Sequence, residues 1–215
     1  QMPEWRLNAA VDAAYLNTNL SLTSSFLRSA ATMTVSLGSP SVGTRPVEVT
    51  VYNQTGHKLP TGYPEGRRMW LHVRAYDAAG TFLYESGAYD ALTGLLSETP
   101  EPKVYEARLG MTQELSTYLG LPNEADGSSF FFVLNNTVIK DNRIPPRGYD
   151  ALAFDQDGLR PVMAQPYVSG QFWDQTIYYV PAEAEQVVVA LYYQVASREY
   201  IEFLKQYGGL DGEAL

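Results

Sequence analysis

The side chains best suited to chemistry lie together in a glycine- and proline-rich stretch, residues 53–70. This stretch contains His57, one of two histidines in the chain. An imidazole on a stiff loop can bind a metal ion or haem iron through one nitrogen while a backbone carbonyl holds the other N–H. A lone loop histidine more often braces the loop through hydrogen bonds. We therefore predict a bracing role for His57, with ligation of a haem held by a neighbouring chain as the alternative.

Two adjacent arginines, Arg67 and Arg68, form the second chemical group in this stretch. A guanidinium pairs bidentately with a carboxylate, so this pair is predicted to lock the loop onto another part of the chain. The predicted carboxylate partners are Asp141, Glu106 and Asp150. Because the chain has a net charge of −9, internal ion pairs are favoured here over an anion-binding site. Arg143 and Arg147 are interpreted in the same way.

A second stiff loop, residues 140–148, contains two adjacent prolines flanked by arginines. Glycine supplies turns that other residues adopt poorly, and proline fixes φ, so each of the two loops should have one shape. A loop of fixed shape presents its side chains in fixed directions and is a candidate for function. The residues predicted to organise these loops or to make an interaction are Asn53, Gly56, Pro60, Gly62, Pro64, Arg67, Arg68, Asp141, Arg143, Pro145, Pro146 and Arg147.

The remaining candidate sites give weaker signals. His72 lies in an alternating apolar stretch and is predicted to be a hydrogen-bonded strand residue rather than a ligand. Calcium binding is an alternative for four loop aspartates, although their spacing matches no known calcium loop: Asp77, Asp90, Asp155 and Asp157. No Gly-x-Ser-x-Gly segment is present, and we do not expect an enzyme. Three triplets match the N-glycosylation pattern and begin at Asn19, Asn53 and Asn135.

Composition limits the classes of function. Nucleic-acid binding is not expected, because Lys and Arg number only 15 against 24 Asp and Glu. The chain has no cysteine, which excludes a disulfide, a thiolate metal site and the Cys-x-x-Cys-His segment that attaches c-type haem. No apolar run is long enough to predict a membrane span. The 16 tyrosines and the low share of charged residues favour an exported protein, extracellular, periplasmic or on the cell surface.

The central stretch also carries a resemblance. The run Thr55-Gly-His-Lys-Leu-Pro-Thr-Gly-x-Pro resembles a signature of the β-rich, non-haem domain found C-terminal to the haem-binding part of certain bacterial multihaem c-type cytochromes. Residues 140–148 and 192–204 are similar to that domain in the same order. The resemblance implies an accessory module that partners a haem carrier, with His57 as an axial ligand supplied to it. It implies no reaction.

Period-two alternation predicts most of the elements that position these loops. Residues 32–37 and 47–52 alternate as half-buried strands, the second of which leads into Asn53. Asp77 and Gly80 predict a hairpin turn. The apolar run at residues 130–135 predicts a buried strand. Residues 187–194 are apolar on both faces and predict a central strand.

The ends of the chain show helical spacing. Leu7, Val11, Ala14 and Tyr15 recur every three or four residues, after which the pattern loosens from Asn17 to Ser25. Residues 1–28 are therefore predicted to form a helix or an extended arm, followed by a single domain at residues 29–215. A closing helix is predicted from Arg198, capped by Ser197. Short strands with only terminal helices predict an all-β sandwich with long loops, immunoglobulin-like or jelly-roll-like.

Three functions fit this sequence. The favoured one is a non-enzymatic structural module that assembles with itself or with another exported protein, including a filament built by an N-terminal arm that completes a neighbour's open sheet edge. The second is the accessory domain of a multihaem electron-transfer system. The third is a carbohydrate- or calcium-binding sandwich, in which exposed tryptophan or tyrosine would stack on sugar rings. Haem from a partner, or calcium, is the cofactor that these alternatives would require.

Overall fold

The computed structural model describes residues 13–64 and 66–208, and within them four helices and eleven strands follow one another. The helices are α1 (Ala13–Ser29), α2 (Gln113–Leu119), α3 (Ala151–Gln156) and α4 (Arg198–Tyr207). The strands are β1 (Ala31–Leu37), β2 (Thr44–Asn53), β3 (Arg68–Tyr76), β4 (Phe82–Ser86), β5 (Tyr89–Asp90), β6 (Leu95–Leu96), β7 (Val104–Tyr105), β8 (Ala107–Gly110), β9 (Thr137–Asp141), β10 (Trp173–Pro181) and β11 (Gln186–Gln194).

Two antiparallel sheets form the body of the protein. One has the strand order β1-β2-β10, and the other has the order β11-β3-β4, with β7 also paired to β3. Two further antiparallel pairs, β5-β6 and β8-β9, lie in the connections. The predicted all-β, sandwich-like class with short helices is confirmed.

The core forms where β2 and β3 turn alternate side chains inward. Valine is β-branched and suits a pleated surface, and inward positions recur every second residue along a strand. The buried inward residues are Val47, Val49 and Val51 of β2, and Met69, Leu71, Val73 and Ala75 of β3. Tyr178 and Val180 of β10 complete the same cluster. The two predicted strands at residues 32–37 and 47–52 are confirmed, because β1 and β2 pair from Ala31 opposite Asn53 to Leu37 opposite Val47.

The predicted turn between β3 and β4 is confirmed, and the Asp77 side chain accepts two of the hydrogen bonds that hold it. The Asp77 carboxylate accepts hydrogen bonds from the backbone N–H groups of Ala79 (2.9 Å) and Thr81 (2.7 Å). Gly80 has φ +82°, a conformation that costs glycine little. The turn therefore follows from two residues that the sequence identifies.

The prediction that residues 187–194 form a central strand was wrong. Among the described residues, β11 pairs only with β3 and lies at the edge of its sheet. Its second apolar face is partly open to solvent, since Val188 is 37% and Tyr192 44% exposed. The Tyr192 ring contacts the rings of Trp70 (5.3 Å) and His72 (5.8 Å) on the neighbouring strand β3, measured between ring centroids. An edge strand can therefore be apolar on both faces, because exposed apolar side chains are common on protein surfaces and cross-strand ring contacts shield them in part.

The buried strand predicted at residues 130–135 was also wrong. The chain turns there, and the Leu134 N–H donates to the Phe131 carbonyl (2.7 Å). Ser129 Oγ accepts from the Phe131 N–H (3.0 Å), and Asn135 Nδ2 donates to the Ser129 carbonyl (2.7 Å). Such local bonds between side chain and backbone satisfy groups that a sheet would otherwise pair. The apolar residues of the segment face α4 or the solvent instead.

The N-terminal segment is helical where its pattern loosens. α1 continues through residues 17–25, and hydroxyls bond back to carbonyls one turn earlier, as Thr18 Oγ1 does to Ala14 (2.9 Å) and Ser25 Oγ to Ser21 (3.0 Å). Leu7 and Val11 lie outside the described residues. At the other end, Ser197 Oγ accepts from the Tyr200 N–H (3.2 Å), which confirms the predicted start of α4.

Candidate functional site

The two stiff loops meet. Leu59 and Ile144 exchange backbone hydrogen bonds, with the Leu59 N–H donating to the Ile144 carbonyl (2.8 Å) and the Ile144 N–H to the Leu59 carbonyl (2.9 Å). Both side chains are buried in the main core cluster. We call residues 53–64 and 140–148 together the loop junction. Its two halves are far apart in sequence, and each fixes the position of the other.

Asn53 is the hub of the loop junction. It is the last residue of β2, and its side chain is fully buried. Nδ2 lies within hydrogen-bonding distance of the carbonyls of His57 (2.7 Å), Ile144 (2.9 Å) and Pro145 (3.0 Å). Oδ1 accepts from both the backbone N–H and the hydroxyl of Thr55, at 2.8 Å each. One amide therefore satisfies groups in both loops, which is why the residue can be buried.

A buried ionic group lies beside this hub. The Asp141 carboxylate is held by two cations: Arg143 binds it with Nε (2.9 Å) and Nη2 (2.8 Å), and Lys58 Nζ lies 2.8 Å from Oδ2. Lys58 Nζ also donates to the Leu159 carbonyl. The bidentate geometry gives this pairing direction as well as charge.

Burial and charge act in opposite directions on this group. Burial alone would raise the pKa of Asp141, but hydrogen bonds and charge from Arg143 and Lys58 outweigh it and hold that pKa below its usual value. For Lys58, burial is the largest influence and lowers the pKa despite the opposing effect of Asp141. We call Asp141, Lys58 and Arg143 the internal lock, because their charges pair with one another inside the protein.

The predicted partners of the central arginines were wrong. Arg67 Nη1 donates to the Thr61 carbonyl (2.8 Å), and Arg68 Nε donates to Gln194 Oε1 (2.7 Å). The carboxylates named as their partners bind elsewhere. Glu106 pairs with Arg108 and Lys140, Asp141 pairs as described above, and Asp150 caps α3 by accepting the N–H groups of Leu152 and Ala153. The physical reason is position: Arg68 already belongs to β3, whereas Lys58 lies within the loop that faces Asp141.

The other predicted loop residues contribute to shape. Pro60 and Pro145 are buried in the loop junction, and Arg147 places its guanidinium 4.4 Å from the centre of the Phe172 ring while Nη2 donates to Gln54 (2.9 Å). Gly62 has φ +85°, and a Cβ there would overlap the Arg67 guanidinium. The Pro64 carbonyl accepts from the Arg67 N–H (3.1 Å), whereas Gly56 is exposed and Pro146 is half-buried.

His57 is exposed on the loop junction. Its backbone carbonyl, rather than its ring, is what braces the loop, since it accepts from Asn53 and from Thr55 Oγ1 (2.9 Å). Among the described residues, no side chain pairs with the imidazole. His72 differs, because its Nε2 lies 2.7 Å from Glu85 Oε1 within the sheet. The free ring of His57 is therefore the one imidazole of the two that a partner molecule can reach.

The described part of the chain contains no group of three His, Asp or Glu side chains arranged to hold a metal ion. Asp77 and Asp90 each accept hydrogen bonds from backbone N–H groups of their turns through Oδ1. Asp155 lies 3.5 Å from Arg160, and Asp157 ends α3. Calcium binding by these residues stays a prediction.

Sequence reasoning missed a second buried polar group. Asp174 of β10 accepts from the hydroxyls of Tyr105 (3.0 Å) and Tyr167 (3.2 Å), and Lys103 Nζ lies 2.9 Å from it. Burial raises the pKa of both tyrosines, and the Asp174 charge adds to the effect. The hydroxyls therefore remain protonated donors. The group connects β10 to β7 through Tyr105 and to the 140–148 loop through Tyr167, whose hydroxyl lies 3.0 Å from the Asn142 carbonyl. No spacing in the sequence marks residues 69 positions apart as partners.

The surface of α1 is the other feature that the sequence did not reveal. Tyr15, Leu22 and Phe26 are 69%, 62% and 76% exposed, although they recur at the spacing of one helical face. Within residues 13–64 and 66–208, no helix has the length and apolar character needed to cross a membrane.

Comparisons with known proteins add one structural likeness. No protein-family model matches the chain, and no curated protein matches it. Among solved structures, the chain is similar to the crystal structure of a penta-haem cytochrome c552 from Thermochromatium tepidum, with a TM-score of 0.49 and 17% identity. The match covers 86% of this chain and 36% of the cytochrome, so the chain spans little more than a third of that protein's length.

Proposed function

We propose that this chain is a non-enzymatic, exported assembly module that binds further copies of itself through α1. The observation that carries the proposal is the apolar face of α1, which has no partner within the described chain and is exposed along its length. The loop junction supports the same reading, because its charges are locked in internal pairs and its hydrogen-bonding groups serve the shape of the loops. The composition, rich in tyrosine and low in charged residues, suits a protein that works outside the cytoplasm.

The chemistry of α1 explains why it needs a partner. Nearly half of its 17 residues are serine, threonine or asparagine, which compete with helical bonding and are weak helix formers. Isolated helices of about this length are marginal in water even with the best formers. Stability therefore has to come from packing an apolar face. A second copy of the chain supplies such a surface without any further component.

Replacing Leu22 and Phe26 together with serine is expected to weaken self-association by about 100-fold. Each large apolar side chain contributes about 1.5–3 kcal/mol when it is buried, and about 2.7 kcal/mol corresponds to 100-fold in affinity. Sedimentation velocity over a concentration series measures the effect. Both residues are exposed in the monomer, so the circular dichroism spectrum of the sandwich should not change.

The matched control is the same change at two exposed apolar residues of other loops, Val42 and Leu92. This variant should associate like the unmodified chain. A wild-type chain that remains monomeric throughout the concentration series would refute the proposed function. A double-serine variant that associates as strongly as wild type would show that α1 does not carry the contact.

The alternative function is an accessory domain that supplies a ligand to a haem carried by another protein. Two observations support it: the resemblance of the central stretch to the cytochrome-associated domain, and the exposed imidazole of His57 on a loop held by Asn53. A single accessible imidazole fits the role of an axial haem ligand. The residues around it offer no covalent attachment, so the haem would remain with the partner.

On this alternative, the native assembly should show a Soret band that shifts on reduction with dithionite, and His57→Ala should alter its position. Loss of a histidine ligand changes the electronic spectrum of the iron because the axial ligand sets its coordination. The control is His72→Gln, which removes the other imidazole from the sheet. A colourless assembly, or a spectrum that His57→Ala leaves intact, would eliminate the haem-ligand role.

A further inference from the structure

We propose that α1 of one copy binds in an apolar groove between the 130–134 turn and α4 of a second copy. The inference rests on the proposed function and names the surface that receives the helix. The groove residues are Phe130, Phe131, Val133, Phe203, Leu204 and Tyr207. The groove encloses about 310 Å³, which gives room for more than one large side chain.

The groove is a built surface rather than a loose turn. The Phe131 ring packs edge-on against Phe203 and Tyr207, with centroids 4.8 Å away in both cases, and Phe130 lies 5.6 Å from Phe203. Edge-to-face contacts at these distances are favourable and directional. The turn itself is held by the bonds between Ser129, Phe131 and Asn135 described above. The walls of the groove are therefore in place before anything binds.

The floor and rim of the groove are apolar and open to solvent. Val133 is 82% exposed, and Phe132, Leu134 and Tyr207 are also exposed. An apolar concavity of this kind typically receives an amphipathic helix, which inserts side chains spaced three, four or seven residues apart.

The outer face of α1 has that spacing. Tyr15, Leu22 and Phe26 lie at i, i+7 and i+11, within a narrow angular range on one side of the helix. They cover about 16 Å along the helix axis at 1.5 Å per residue. Leu20 and Leu27 are also exposed, but they lie about 120–140° around the helix from these three residues and belong to another face. The three outer residues are thus the anchors that the groove would receive.

Charge distinguishes this pairing from others. Two copies, each with a net charge of −9, repel one another overall, so contact is least opposed where the surfaces carry no negative charge. None of the six groove residues is charged, and the single charged residue of α1 is Arg28.

The proposed occupant is α1 of another copy. Phe26 and Val133 are both largely exposed in the same chain, so α1 does not cover the groove of its own copy. A contact between two different surfaces is heterologous, and when it does not close into a ring it propagates from copy to copy. One donor helix and one acceptor groove per chain are sufficient for a head-to-tail assembly.

Cysteine cross-linking tests this pairing cleanly, because the chain has no cysteine of its own. Phe26→Cys and Val133→Cys are prepared as separate variants, mixed and oxidised. We expect a cross-linked dimer in high yield from the mixture, and at least about tenfold less from either variant alone. Since each chain carries one cysteine, a dimer containing both variants can arise only between copies.

Matched controls replace one partner at a time. Asn17→Cys, on the opposite side of α1, mixed with Val133→Cys should give little heterodimer, and so should Phe26→Cys mixed with Val42→Cys, whose cysteine lies in a distant exposed turn. If the Phe26–Val133 pair cross-links no better than these controls while the chain still assembles, the groove assignment is overturned and the proposed function stands. If the chain does not assemble at all, the proposed function itself fails.

A second variant checks the groove without cross-linking. Val133→Glu places a carboxylate on the exposed rim and should weaken association at least about tenfold, because docking would bury an unpaired charge. Val42→Glu adds the same charge elsewhere and should change association little. Equal effects of the two variants would show that general repulsion, rather than the groove, is responsible.

Discussion

Asn53→Ala is expected to lower the free energy of unfolding by about 3–4 kcal/mol, one of the two largest effects of any single substitution considered for this protein. The fully buried side chain bonds to three carbonyls and to both polar groups of Thr55. Its removal deletes the bonds to the Pro145 carbonyl and the Thr55 N–H, whereas the His57 and Ile144 carbonyls keep their bonds from Thr55 Oγ1 and the Leu59 N–H. Each buried group left unsatisfied costs about 1–3 kcal/mol. Partial relaxation of the loops keeps the total below the full sum.

Urea unfolding followed by tryptophan fluorescence measures this loss. The neighbouring Gln54→Ala is the matched control, because Gln54 is exposed and its bonds to Thr32 and Arg147 are surface bonds. That control should change stability by less than about 1 kcal/mol. If Asn53→Ala were no more destabilising than Gln54→Ala, Asn53 would not be the hub of the loop junction.

Asp141→Asn is expected to destabilise the protein by about 3–5 kcal/mol at neutral pH. The substitution keeps the volume of the side chain but removes the negative charge between Lys58 and Arg143. Two largely buried cations then face each other without a counter-charge, which costs more than the loss of an exposed ion pair. The comparison variant is Glu202→Gln, which removes an exposed pair with Arg198 and should cost no more than about 0.5 kcal/mol.

The pH dependence of this effect has a definite sign. The pKa of Asp141 is lower in the folded protein than in the unfolded chain, so its stabilising contribution is complete above the unfolded value of about 3.9. The contribution is lost as the pH falls through the folded pKa. The difference in unfolding free energy between wild type and Asp141→Asn should therefore be constant near neutrality and shrink in acid.

Because the comparison uses the difference in unfolding free energy between wild type and Asp141→Asn, the titration of other carboxylates cancels. Asp126 also has a lowered pKa, through bonds to Ser128 and Arg108 that outweigh its burial, but it titrates alike in both proteins and cancels. Urea titrations of the pair at a series of acidic pH values give the curve. A difference that grows as the pH falls would contradict the assignment of Asp141 as the ionised centre of the lock.

The sequence predicted most of the β architecture because the relevant signals are local. Val47, Val49 and Val51 alternate visibly, and Asp77 with Gly80 identifies a turn without reference to any distant residue. The closing helix was found in the same way, from Ser197 as its cap. In each case the deciding interaction lies within a few residues of the signal.

The sequence predicted several residues of the candidate site, such as Asn53, Asp141 and Arg143, but not Lys58 and not the pairings. Both stiff loops were identified from glycine and proline, yet the partners of Asp141 are Lys58 and Arg143 rather than Arg67 or Arg68. Pairing depends on which side chains the two loops bring close together. The amino-acid composition does not give the distances between side chains of different loops. The same limit hid the bonds of Tyr105 and Tyr167 to Asp174.

The exposed surfaces were missed for a different reason. The 130–134 run has the composition of a buried strand, and only the turn bonds from Ser129 and Asn135 place it against α4. In α1, the serine and threonine residues between Tyr15, Leu22 and Phe26 concealed the helical period. Exposed apolar residues of an interaction surface have the same sequence pattern as the apolar residues of a core.

The burial of Asn53 also decides where a sugar chain can be attached to the folded protein. Its amide nitrogen already faces three carbonyls and is closed to a glycosyltransferase, and the amide nitrogen of Asn135 is bonded to Ser129. Asn19 is exposed, and it lies on α1 between Tyr15 and Leu22. A glycan added there would cover the helix face that meets the groove. The choice of expression host would therefore affect assembly. A host that glycosylates this triplet would yield a folded chain whose contact surface is covered by the glycan.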